Sequence, residues 1–407
     1  MKHNRFARRM AGMSASEVRE ILKVTERPEI LSFAGGLPAP ELFPTKELAV
    51  QAKALLEEEG IRALQYAPTE GYLPLREWIC ERMNTVWGSQ VTPSEILITS
   101  GSQQGLDLTT KVFLDEGDLV WCESPTYLAA LGAFNAAMPR YEEMVTDQDG
   151  VILDGLEERL KKTPPKMVYV IPTFQNPSGR TWSMERRRGF MELMTKYGIP
   201  VIEDNAYYEV RFDEVEYCSL KSFDPEGLVV SLASFSKVLC PGLRVAWVAA
   251  SPEIISRYII IKQSTDLQTS NFNQMLIYRF LKNHDFDQRL EQLRDTYRIR
   301  RDAMVAALEE ELPEGVNFTR PAGGMFIWLE MPENIDAHAL LQRCLKAFVA
   351  FVPGFTFYPE NGRRNTARLN FSNLPPEKIR QGVRAFAHCL AEEMEARQPQ
   401  AALSAEK

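Results

Sequence analysis

Apolar positions along the first half of this chain fall into two alternating rhythms. Stretches near residues 46–59, 72–86, 103–114, 126–137, 153–162 and 183–197 repeat apolar side chains every three to four positions. That spacing lays them along one face of a helix. Between them lie short unbroken apolar runs: Ile96 to Thr99, Leu119 to Cys122, Met167 to Ile171, Val201 to Asp204, Leu228 to Ser231 and Val245 to Val248. Such runs, separated by helices, predict strands buried on both faces in a mostly parallel α/β sheet.

The ends of the chain read differently. Ser14 and Glu17 have capping-box spacing ahead of an apolar stripe of Val18, Ile21 and Leu22, so a helix is expected until Arg27-Pro28. A short strand, Ile30 to Phe33, and a glycine-rich loop follow. After residue 252 long helical stretches run to about 311. Strands at Gly324–Glu330, Val349–Val352 and Ala367–Phe371 then alternate with helices, the last near 376–395, and Gln398 to Lys407 are expected to fray. The expected division is an N-terminal arm (1–44) packing with the small domain, a large domain (45–290) and a small α+β domain (291–407).

Composition narrows the class. No apolar run approaches a membrane span, and basic Met1 to Arg9 lacks the apolar stretch of a secretory signal. Acidic residues outnumber basic ones, 55 to 47, which argues against a nucleic-acid surface. Six scattered cysteines without a CxxC pair suggest reduced thiols and a cytoplasmic location, and four histidines without ligand spacing suggest no metal. So few histidines leave acid–base chemistry to another group.

In open α/β sheets, ligands bind beyond the carboxyl ends of the strands. There Ser100-Gly101-Ser102-Gln103 forms a small turn opening a helix, where free N–H groups can hold an anion. An ordinary helix cap would look the same. Ser234, Ser236 and Arg244 add hydroxyls and a guanidinium, and together these describe a phosphate cup. Lys237 sits just past a strand in a segment short of charge. A lone lysine there reads first as a surface residue, but a desolvated one can form an imine. Asp204 closes an apolar strand and needs a cationic or hydrogen-bonding partner, which a protonated pyridine nitrogen, a cap or an ion pair would each supply. Asn176 and Tyr207 are placed to hydrogen-bond a ring oxygen, and Tyr127 to stack on a ring face or simply pack in the core.

With these residues in view, the chain resembles the fold-type I pyridoxal-phosphate enzymes of the class I/II aminotransferases, and within them the 2-aminoadipate aminotransferases. The likeness runs from about Ser14 to Ser372. It rests on LSFAGGLPAPELFP (31–44), LQYAPTEGYLPLR (64–76), TSGSQQ (99–104), QNPSG (175–179), SFSK (234–237) and PAGGMF (321–326), in that order. It implies pyridoxal 5'-phosphate as cofactor, held as a Schiff base on Lys237, with Asp204 facing the ring nitrogen, Asn176 and Tyr207 the ring hydroxyl, and Tyr127 the ring face. Gly101, Ser102, Gln103, Ser234, Ser236 and Arg244 would bind phosphate. Tyr66 would reach the phosphate of a neighbouring subunit, implying a homodimer. Arg368 would clamp the substrate α-carboxylate with Gly36 beside it, and Asn176-Pro177 would be cis. Asn205 stands where relatives often carry a second aspartate, so one charge behind the ring is missing.

The expected activity is therefore transfer of the amino group of an L-amino acid (2-aminoadipate, aromatic or aliphatic) to 2-oxoglutarate, with Lys237, Asp204 and Tyr207 as catalytic groups. Arg19 matches the position that meets a side-chain carboxylate in the 2-aminoadipate relatives; otherwise it is a solvated arginine beside Glu20. Decarboxylases, lyases and racemases share the cofactor frame, but two carboxylate clamps favour glutamate and transamination. A transcription regulator on the same fold is disfavoured, because about 30 residues before Leu31 are too few for a winged helix and the charge is negative.

Overall fold

The computed structural model describes residues 6–13, 21, 27–213, 217–360 and 362–397. The expected helix from Ser14, apart from Ile21, and the expected frayed end at Gln398–Lys407 lie outside the described residues. So does Arg19.

Seven strands build the main sheet: β1 (Ile96–Thr99), β2 (Leu119–Glu123), β3 (Arg140–Met144), β4 (Met167–Val170), β5 (Val201–Asp204), β6 (Val229–Ser234) and β7 (Ala246–Ala249), in the spatial order β1-β7-β6-β5-β4-β2-β3. All neighbours run parallel except β7, which is antiparallel to both β1 and β6. Strand β3 was not foreseen. Its sequence, RYEEM, is polar and mostly half-exposed, because it is an edge strand with one neighbour and the apolar-run signal applies to central strands.

The unbroken apolar runs have a direct cause. Alternate side chains of one strand enter two different cores. Met167, Tyr169, Ile202, Val230 and Leu232 pack on one face with Leu106, Leu131 and Tyr258, while Val168, Val170, Val201 and Val229 pack on the other with Leu160, Phe190 and Met194. Each fully buried aliphatic side chain contributes about 1.5–3 kcal/mol, so a slip of one residue would exchange whole sets between cores. Helix Ser102–Phe113 lies close against the sheet at Gly105, where a Cβ would come within 3.1 Å of Leu232.

Four strands form the second sheet: β8 (Asn317–Phe318), β9 (Phe326–Glu330), β10 (Val352–Pro353) and β11 (Thr366–Asn370), in the order β8-β9-β11-β10. Helix Pro376–Ala396 packs against the 26-residue helix Phe286–Glu311, which runs across the division expected at residue 290. The arm segment Leu31–Ser32 pairs in parallel with Val349–Ala350. These contacts bring the arm, the main sheet and β11 around one cleft. No described helix is long and apolar enough to cross a membrane.

Candidate active site

The cleft lies beyond the carboxyl end of β5 and β6. Asp204 is the last residue of β5 and shares the face of Ile202, two residues back. On the same face of neighbouring β4, Tyr169 donates its hydroxyl to Asp204 Oδ2 at 2.9 Å. The Ala206 N–H donates to Oδ1 at 3.2 Å. Asp204 is buried, and among the described residues no cation pairs with it. Burial pushes its pKa up to about 6 despite these two donors. Tyr169 was not singled out from sequence. The available signal was a tyrosine inside a buried strand, whose hydroxyl requires a polar partner.

Lys237 lies in the turn after β6. The residue is half-buried, but its amine points inward and donates to the Gly36 carbonyl at 2.8 Å. Among the described residues it has no carboxylate partner. Desolvation first, then the charges of Arg368 and Arg244, pull its pKa down to about 8. Gly36 was expected to face a substrate carboxylate; here its carbonyl meets the lysine.

Arg368 comes from the middle of β11, where it is 3% exposed. Its guanidinium reaches across to the other segments, donating to Asn176 Oδ1 at 2.8 Å and to the Ala34 carbonyl at 2.7 Å. It lies over the rings of Phe326 (4.2 Å) and Phe357 (4.9 Å), and its Nε is buried without a partner. A buried guanidinium with an idle donor suits an incoming anion. Asn176 precedes a cis Pro177 and donates to the Tyr207 hydroxyl at 3.3 Å. Tyr207 is buried, its phenol pKa raised by desolvation and by nearby Tyr127.

The phosphate-binding candidates gather at one end. Ser234 Oγ donates to Ser236 Oγ at 2.8 Å and accepts from the Ser236 N–H at 3.0 Å. Helix Ser102–Phe113 begins after Gly101, whose φ of 87° favours glycine. A Cβ at Gly101 would collide with the Arg244 guanidinium, so this glycine lets the arginine lie against the helix N-terminus. The first N–H groups of that helix, on Ser102 and Gln103, have no intrahelical acceptor. The Gln103 side chain turns away to the Ala129 carbonyl at 3.0 Å, leaving its backbone as the available donor. Tyr66 is 78% exposed, and among the described residues its side chain makes no hydrogen bond to a group of this cleft. Asn205 donates to Ser231 Oγ at 3.0 Å, and its Oδ1 is buried without a partner.

The donor set fits a phosphorylated pyridine aldehyde. Among the described residues a buried carboxylate lacks a cation, an amine lacks an anion, and a cup of N–H, hydroxyl and guanidinium groups stands at one end.

Comparison with known proteins agrees with this geometry. Residues 40–386 match the family model described as aminotransferase class I and II. The chain is 46% identical to a 2-aminoadipate transaminase of Thermus thermophilus over 95% of this chain and 96% of the relative. It is 42% identical to aromatic-amino-acid aminotransferase 1 of Thermococcus litoralis over 96% and 94%. A crystal structure of a Thermus thermophilus alpha-aminoadipate aminotransferase, complexed with N-(5'-phosphopyridoxyl)-L-leucine, superposes with a TM-score of 0.90 at 44% identity, covering 96% of this chain and 98% of that one.

Proposed function

Since this chain belongs to the aminotransferase class I and II family, we propose that it moves the amino group of an L-amino acid to 2-oxoglutarate, with pyridoxal 5'-phosphate bound at Lys237. The carrying observation is the coexistence in one cleft of a buried uncompensated carboxylate, Asp204, and a desolvated amine, Lys237. Bound there, pyridoxal 5'-phosphate supplies an aldehyde that condenses with amines and a ring that withdraws electrons from the substrate α-carbon.

The protein's groups divide the remaining work. Asp204 holds a proton on the ring nitrogen, and its own oxygens are kept in place by Tyr169 and Ala206. Asn176 and Tyr207 hydrogen-bond the ring oxygen, and Tyr127 covers the ring face. Ser102 and Gln103 through their N–H groups, with Gly101, Ser234, Ser236 and Arg244, hold the phosphate. Arg368 fixes the α-carboxylate with a planar fork of donors. Lys237 Nζ, with a pKa near 8, accepts the α-proton and returns it, which suits a chain with four histidines. Tyr66, exposed on this chain, serves the phosphate of a second copy, making the working unit a homodimer. Six free cysteines fit a reducing cytoplasm.

The names of the relatives, and the leucine adduct bound by one of them, support donors ranging over 2-aminoadipate, aromatic and aliphatic amino acids. Arg19 is assigned to the side-chain carboxylate. Arg19→Gln should weaken glutamate and 2-aminoadipate more than leucine or phenylalanine, and equal losses would remove that role. The reading as a whole is tested by a donor panel with purified protein, scoring glutamate formed from 2-oxoglutarate. Turnover by Lys237→Ala at a comparable rate would overturn it.

A further inference from the structure

Behind the phosphate cup lies a charged group that neither substrate nor cofactor would touch. Lys262, in the last turn of helix Pro252–Thr265, has a completely buried side chain. Its amine donates to Gln104 Oε1 at 2.8 Å and to both oxygens of Asp266 at 2.8 and 3.0 Å, so all three donors are used. The same Gln104 oxygen accepts the Ser100 N–H at 2.8 Å. Ser100 Oγ reaches Asp266 Oδ2 and Thr269 Oγ1, each at 3.2 Å, and the Ser100 carbonyl faces Arg244 Nη2 at 3.5 Å. Every polar group of Ser100 is thereby tied to this cluster or to the arginine of the cup.

We propose that Lys262 and Asp266 are a positioning pair that presets the phosphate end of the cofactor site, acting through Gln104 and Ser100. The inference rests on the cofactor reading above. Packing alone does not call for a buried ammonium here, since apolar side chains of similar volume commonly replace buried ion pairs at no loss of stability. What the pair supplies is directionality. It pins the backbone of Ser100, and the next residues, Gly101 to Gln103, present the free N–H groups. Because Asp266 balances the lysine, the contribution is geometric rather than a gain of net positive charge.

The test compares pyridoxal 5'-phosphate with pyridoxal, which lacks the phosphate, by absorbance titration of the full chain stripped of cofactor. In Lys262→Gln the preference for the phosphorylated compound should fall about tenfold, the effect of losing one hydrogen bond involving a charged group. Asp266→Asn keeps the shape, removes the anion, and should lower the same ratio; it decides the matter if Lys262→Gln does not fold. Equal weakening of both compounds, or none, in a folded variant would overturn the pairing, since a purely structural residue affects both alike. Wild-type protein that binds neither compound would instead overturn the cofactor reading itself.

Discussion

Arg368→Lys keeps the positive charge and removes the fork. The guanidinium now makes two internal hydrogen bonds, at 2.8 Å to Asn176 and 2.7 Å to the Ala34 carbonyl, and retains an idle Nε. A lysine ammonium at the end of a flexible stem can satisfy one internal acceptor and meet a carboxylate at one point. The internal bond lost is missing from free and bound enzyme alike and weighs on folding, so the catalytic loss is one of two charged hydrogen bonds to substrate, about 1.5 kcal/mol. At 1.36 kcal/mol per factor of ten, kcat/KM should fall about tenfold. Initial rates with glutamate across a concentration series would measure it, with most of the change in KM because the carboxylate is held in ground and transition states alike. A folded Arg368→Lys protein with kcat/KM near that of wild type would refute the carboxylate clamp.

Two further outcomes follow from the buried ionisable groups. Asp204 has its pKa raised to about 6, so a cofactor-free protein bears the cost of an ionised buried carboxylate as pH rises from about 4 through 6 and at full value above it. Asp204→Asn should therefore stabilise the cofactor-free protein by about 3 kcal/mol at pH 7, with no gain below pH 4, while weakening pyridoxal 5'-phosphate binding. Thermal melts at both pH values check the sign, and a destabilised variant at pH 7 would contradict it. Lys237, lowered to about 8, must be neutral to attack an aldehyde. Uptake of pyridoxal 5'-phosphate by the stripped protein should quicken about tenfold from pH 6 to pH 7 and level off above pH 8. A stopped-flow rate still rising at pH 10 would place the amine at its ordinary value.

The sequence determined by itself whatever depends on local periodicity. Central strands such as Val201–Asp204 were legible because both faces are buried, and helices such as Leu73–Val86 because one face is. Placing Asp204 at the end of one strand and Lys237 just beyond another followed from the same runs, and the residue types suggested their chemistry. Edge strand Arg140–Met144 escaped because half its surface meets solvent and its pattern is polar. Only the tertiary structure decided who meets whom across distance: Arg368 with Asn176 and Ala34, Tyr169 with Asp204, Lys237 with the Gly36 carbonyl, and Lys262 with Gln104 behind Ser100. Those pairings join residues 35 to 334 positions apart. A hydrogen bond leaves no trace in local spacing when its partners are brought together by sheet register and by packing between two layers of core.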